Sequence, residues 1–186
     1  MKKVRLGIIG LGNIGMQHYG YMHEIEGAEL TAICDIDESK LERPSMNKSF
    51  DHARVDIKDF GSNITKYTDY KELLDSGKVD AVIVATPHYF HPEMAIAAFD
   101  RGVHVLCEKP AAITAKEARR INEAHKDSGL IYSLMFNMRT SPVFKKIKEL
   151  LDNGTLGEIR RVSWIITSWF RTQKYYDSGG WRGNWT

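Results

Sequence analysis

Gly10, Gly12 and Gly15 stand in a G-x-G-x-x-G pattern, Gly10-Leu11-Gly12-Asn13-Ile14-Gly15, directly after the apolar run Val4–Ile9. A turn of this kind that opens a helix offers unpaired backbone N–H groups and the positive end of the helix dipole to a phosphate. Each glycine then has a task. Gly10 makes the tight turn, Gly12 lets the backbone approach a pyrophosphate, and Gly15 lets the helix pack on the strand. Asp35 lies 20 residues after Gly15 and ends a second apolar run, Ala28–Cys34. That is about where a dinucleotide fold places the carboxylate that accepts bonds from the adenosine ribose hydroxyls. The pattern therefore points to a dinucleotide cofactor. Asp35 would repel a 2′-phosphate, and Ile36 and Asp37 supply no positive charge, so NAD is expected over NADP. Lys40 or Arg43 folding back would weaken that preference.

These residues need a frame. The run Val4–Ile9 reads as a buried parallel strand, followed by a helix and by the strand Ala28–Cys34. Residues 37–43 read as a short helix that Pro44 stops, and 45–62 as an extended polar excursion. A short strand over 64–67 precedes a helix opened by Asp69 and Glu72 and ended by Gly77. The run A-V-I-V-A at 81–85 is the clearest buried strand and leads into Thr86-Pro87-His88-Tyr89-Phe90-His91-Pro92. Pro92 suits the first turn of a helix that Gly102 stops. His104–Cys107 is a further strand, followed at once by Glu108-Lys109-Pro110. Thr114 with Glu117 forms a capping box for a helix running towards Gly129, and 131–135 is a sixth strand. This alternation is that of an α/β Rossmann fold, a doubly wound parallel sheet. We expect residues 1–138 to form a nucleotide-binding domain. Residues 139–186 would be the incomplete start of a C-terminal α/β open-sheet domain, with a helix over 142–152 and a longer strand over 159–170.

Composition limits the alternatives. The 186 residues carry a net charge of +2, which leaves no footprint for nucleic acid. No apolar run approaches the length of a membrane span. Cys34 and Cys107 have no metal or redox spacing, so we expect two reduced structural thiols, no metal and a cytoplasmic protein. Lys145, Lys146 and Lys148 read as a solvated helix face. His18, His23, His104 and His125 receive no role.

The matching residues G-L-G-N-I-G at 10–15, Asp35, A-T-P at 85–87, His91, G-V-H-V-L-C-E-K-P at 102–110 and N-G-T-L-G-E-I at 153–159 make the chain resemble the Gfo/Idh/MocA family of oxidoreductases. The resemblance implies an NAD(P)-binding domain followed by an open-faced sheet that holds a small-molecule substrate, of sugar or polyol type, and often mediates homo-oligomers. By position, Gly10, Gly12, Asn13, Ile14, Gly15 and Asp35 would hold the pyrophosphate and adenosine end. Thr86, Pro87, His88 and His91 would line the nicotinamide side, while Glu108 and Lys109 would reach the nicotinamide ribose and the reacting centre. A cis bond before Pro110 is also implied.

Lys109 is then the catalytic candidate, a buried ammonium that would stabilise a developing alkoxide; the alternative is a surface lysine paired with Glu108. His91 could touch the cofactor or cap the helix at Pro92. Dehydrogenases of the family carry an Asp-x-x-x-His-like pair after a glycine-rich segment, whereas the last histidine here is His125. The expectation is a truncated form of a hydride-transferring dehydrogenase. Two other readings stand beside it, an NAD-dependent glycosidase and a non-catalytic nucleotide-binding module. The aromatic tail is expected to expose apolar surface.

Overall fold

The computed structural model describes residues 2–44, 59–167 and 170–177. The chain divides into two compact units, Met1–Asn137 and Met138–Thr186.

The first unit is a six-stranded sheet: β1 (Val4–Ile9), β2 (Ala28–Cys34), β3 (Thr65–Tyr67), β4 (Ala81–Val84), β5 (His104–Cys107) and β6 (Tyr132–Leu134). The order is β3-β2-β1-β4-β5-β6, with every neighbouring pair parallel. Residue alternation divides each strand between two cores. Ile9, Cys34, Val82 and Val84 pack with Leu73, Ala95, Phe99 and Ile121 on one face. Ile8, Ile33 and Ile83 pack with Leu11, Met16 and Leu41 on the other. Both faces are covered, which is why these strands read as unbroken apolar runs. The fold is the doubly wound Rossmann fold expected.

The helices of this unit are α1 (Asn13–Tyr21), α2 (Glu38–Glu42), α3 (Tyr70–Asp75), α4 (His91–Phe99) and α5 (Ala115–His125). Side chains cap three of them. Asp37 accepts from the Ser39 N–H, Asp69 from Lys71 and Thr114 from Glu117. The two expected capping boxes are thus only half made: Asp69 bonds one residue earlier than a box requires, and the Glu117 carboxylate turns to Arg120 at 2.8 Å. Residues 45–58 of the expected polar excursion lie outside the described residues, while Phe60 just beyond them is buried.

Arg5 fastens the amino ends of β1 and β4. Its backbone N–H and its Nε donate to Asp80 Oδ2 at 2.8 and 3.1 Å, and Nη2 meets Oδ1 at 2.6 Å. Arg5 holds the Asp80 carboxyl down at about 2, first through the side-chain bond and then through the backbone one. A depressed carboxyl contributes stability that is present above its unfolded pKa and lost as pH falls through the folded one. We therefore expect Asp80→Asn to lower the melting temperature at neutral pH by the equivalent of about 1 kcal/mol, discounted for one-third exposure. Wild type and variant should converge between about pH 4 and pH 2. A difference that persists unchanged at pH 2 in thermal melts would exclude the ion pair as its source.

The second unit contains α6 (Pro142–Asp152) and the short α7 (Gln173–Asp177), which sequence periodicity did not announce. The strand expected over 159–170 is not formed among the described residues. An extended segment becomes a strand only by pairing its N–H and C=O groups with a neighbour, and among the described residues of the second unit there is no strand to pair with. Trp164 instead stacks on Phe144, with ring centroids 5.8 Å apart and planes 17° off parallel. Val162, Ile165 and Phe170 are exposed. None of the helices described is long and apolar enough to cross a membrane.

Candidate cofactor site

β1 and β4 lie side by side and run the same way, but the chain leaves them in opposite directions, to β2 on one side and to β5 on the other. The two connections part at the carboxyl ends of these strands and leave a crevice, the place where open α/β sheets bind ligands. A cleft of ≈ 580 Å³ sits there, lined by Gly10, Gly12, Asp35, Lys40, Thr86 and Pro87 among others.

The glycine turn is shaped by contacts that exclude side chains. Gly10 has φ +96°, and a Cβ on it would stand 2.8 Å from the Ala85 carbonyl oxygen. A Cβ on Gly15 would collide with the Gly10 carbonyl oxygen, so only glycine lets α1 close on the turn. Gly12 differs from both. It is the N-cap of α1, supplies no capping side chain, and has nothing within 4 Å of the position its Cβ would take. The turn thus offers open space at the uncapped start of a helix. This geometry fits a pyrophosphate.

Asp35 is 7% exposed and holds the turn from the end of β2. Its Oδ2 accepts from the Leu11 N–H at 2.7 Å, and its Oδ1 accepts from the Asp37 N–H at 3.0 Å. Lys40 does fold back, with Nζ 3.2 Å from Asp35 Oδ1. The carboxylate therefore faces the cleft with a cation beside it, a feature that local sequence left open. The far wall holds a pair that the sequence did not suggest, Tyr70 Oη donating to Glu93 Oε1 at 2.7 Å. Burial and the adjoining Glu93 push the Tyr70 phenol up. Both residues follow the carboxyl ends of strands, and that position was the one available signal.

The expected nicotinamide residues divide. Thr86 and Pro87 line the cleft. His88 is half-buried, its ring 5.7 Å from that of His91. His91 is fully buried, and the N-cap of α4 is Phe90, with no side-chain cap bond. Its Nδ1 lies 2.8 Å from the Pro110 carbonyl oxygen and its Nε2 2.9 Å from that of Thr86. A neutral imidazole donates to one of the two at a time. Either way the ring ties the loop after β4 to the loop after β5. Asn13, Ile14 and Gly15 lie in the first turn of α1, outside the cleft lining, with Ile14 exposed.

Glu108 and Lys109 also depart from expectation. Lys109 is exposed, not buried. Nor does its ammonium claim the Glu108 side chain. Glu108 Oε1 lies 2.8 Å from His18 Nε2, and Oε2 accepts the Lys109 backbone N–H at 3.3 Å. Burial pushes the Glu108 carboxyl up, but the hydrogen bond and charge of His18, helped by Lys109, outweigh it and hold the group below the usual carboxylate range. The Lys109-Pro110 peptide is cis. Burial raises the thiols of Cys34 and Cys107 to about 12. Among the described residues no group of His, Cys, Asp or Glu could hold a metal ion.

A doubly wound sheet with an open glycine turn and a carboxylate lining the same crevice defines a dinucleotide-binding protein. Comparison with known proteins makes the class particular. The family model described as "Oxidoreductase family, NAD-binding Rossmann fold", that of the Gfo/Idh/MocA proteins, matches residues 4–136, and the chain belongs to this family. It is 34% identical over 155 residues to a myo-inositol 2-dehydrogenase of Thermotoga maritima, an alignment covering 83% of this chain and 42% of that protein. The crystal structure of a myo-inositol 2-dehydrogenase from Lactobacillus plantarum is similar at a TM-score of 0.69, with 31% identity over 85% of this chain and 43% of that one. The WlbA dehydrogenase from Bordetella pertussis, solved with NADH and UDP-GlcNAcA, is similar at a TM-score of 0.80, with 27% identity over 99% of this chain and 49% of that one. The chain thus spans less than half the length of these relatives.

Proposed function

We propose that this chain supplies the cofactor-binding part of an NAD-dependent dehydrogenase that oxidises a secondary hydroxyl of a cyclic polyol or sugar. The observation that carries the reading is the cleft lined by both Gly12, open on its Cβ side, and Asp35. Family membership and the inositol 2-dehydrogenases among the relatives supply the reaction and the substrate class.

NAD, when bound, supplies the nicotinamide that accepts a hydride. The chain's own residues do the rest. The start of α1 offers N–H groups and a partial positive charge to the pyrophosphate at Gly12, with Asn13 and Ile14 beside it. Asp35 accepts from ribose hydroxyls while its bond to Leu11 keeps the turn in place. Thr86 and Pro87 shape the far side of the cleft. Lys109, exposed just beyond the carboxyl end of β5, would place its ammonium against a developing alkoxide. In this reading residues 1–138 form the cofactor domain, and 139–186 begin the domain that holds substrate and joins copies of the protein. Two unpaired buried cysteines suit a reducing, cytoplasmic setting.

Calorimetric titration of the chain with NAD and NADP tests the reading. Saturable binding with NAD preferred is expected, and myo-inositol and related polyols added to the full-length protein should then yield NADH. Absence of saturable binding of either nucleotide by a chain that melts cooperatively would refute it.

A further inference from the structure

We propose that His18 is a positioning residue for the nicotinamide half of the site: it holds Glu108 against α1 and so sets the loop on which Lys109 stands. The inference rests on the NAD reading above and adds a residue to which the sequence motifs gave no part.

The geometry is that of a built contact. His18 lies in the second turn of α1, the helix that opens at the glycine turn, and Glu108 directly follows β5, two strands away from β1. The residues are 90 positions apart, yet Nε2 and Oε1 stand at 2.8 Å, with the side chains 15% and 12% exposed. A carboxylate only accepts, so Nε2 is the donor. The ring thereby anchors a largely buried acid that its surroundings would otherwise disfavour.

The contact mirrors the one on the opposite side of α1. There Asp35, ending β2, reaches the Leu11 N–H in the turn. The glycine turn and its helix are thus gripped by an acid from each flank. Asp35 serves the side where the adenosine end would lie, and Glu108 the side of β4 and β5. The loop of residues 108–110 is in turn fixed at both ends. His18 holds the Glu108 side chain, and His91 holds the Pro110 carbonyl. Lys109 lies between the two fixed points and is exposed. An exposed lysine has a flexible stem, so its reach is determined by where its backbone is held. His18 is the partner that reaches the loop from the helix of the pyrophosphate turn, which couples the placement of Lys109 to the cofactor's own cradle.

The test compares two probes on the purified chain, NADH and ADP, which lacks the nicotinamide and its ribose. His18→Phe removes the donor and keeps a flat ring of similar size. NADH binding, read by nicotinamide fluorescence and by calorimetry, should weaken about tenfold, while ADP binding stays within about twofold. His18→Gln, which retains a donor, should recover most of the NADH affinity. In a Glu108→Leu background, which lacks the acceptor, His18→Phe should add little, because the two residues act as one unit. The proposal is overturned if His18→Phe binds NADH like the wild type, or if NADH and ADP lose affinity equally, which would mark damage to α1. A His18→Phe chain that does not fold leaves the decision to His18→Gln and Glu108→Leu; equal losses of both probes in these would overturn the proposal too. Wild-type chain that binds neither probe would instead refute the cofactor reading, and this assignment would fall with it.

Discussion

Gly12→Val is expected to abolish measurable NAD binding, a loss of more than about 100-fold, while the chain melts within a few degrees of the wild type. The argument is steric and rests on the difference among three glycines. Gly12 has φ −70° and ψ −174°, an extended conformation that valine adopts freely, and nothing lies within 4 Å of its Cβ direction. The added isopropyl group would therefore cost the fold little. It would occupy the space through which a pyrophosphate must approach the N–H groups of α1. Gly15→Val should do the opposite first. Its Cβ meets the Gly10 carbonyl oxygen, which is backbone that cannot swing aside, so the variant should fail to fold stably. Circular dichroism with calorimetry separates the two outcomes. A Gly12→Val chain that binds NAD normally would place the pyrophosphate elsewhere.

The second large effect is expected at Asp35. Asp35→Ala removes the acceptor for the Leu11 N–H at 2.7 Å and for the Asp37 N–H at 3.0 Å. It also removes the carboxylate that would bind ribose hydroxyls. NAD affinity should fall by about 30- to 100-fold, in keeping with about 2–3 kcal/mol for charge-assisted bonds to a buried acid. The melting temperature should fall as well, since a buried N–H is left unpaired. NADP should lose far less. Lys40, 3.2 Å from Asp35 Oδ1, is released by the substitution and becomes available to a 2′-phosphate. Lys40→Ala in the wild-type chain should therefore lower affinity for NADP and leave that for NAD near its starting value. Parallel titrations of both nucleotides read these ratios directly. Equal losses of NAD and NADP in Asp35→Ala would show that the carboxylate serves the turn alone.

How far the site could be read in advance follows from the range of the interactions. The strand, glycine turn, helix, strand and acid from Val4 to Asp35 were legible because each obeys a rule acting over a few residues: apolar runs, a turn that demands glycine, a fixed spacing to the acid. His91 and Lys109 were legible as positions, but their environments were not. His91 is sealed between two carbonyl groups from different loops, and Lys109 is open to solvent. Burial is a property of what packs on top, and no motif carries it. Among the described residues, the strand expected over 159–170 is not formed for a related reason. Alternation and β-branched residues specify a surface that could pair, but the pairing itself needs a neighbour.

The sequence by itself determined the α/β Rossmann architecture, the expected preference for NAD and the resemblance to the family to which the chain belongs. All three rest on local pattern: hydrophobic runs of strand length, three glycines in fixed order, and an acid at the end of the second strand. Only the tertiary structure decided who stands beside whom at the crevice. Strand order β3-β2-β1-β4-β5-β6 brings His18 to Glu108 across 90 residues and Tyr70 to Glu93 across 23, and the α2 turn bends Lys40 onto Asp35. Hydrogen bonds between side chains so far apart in the chain depend on the sheet being assembled, because parallel pairing, not sequence spacing, sets which strand ends meet.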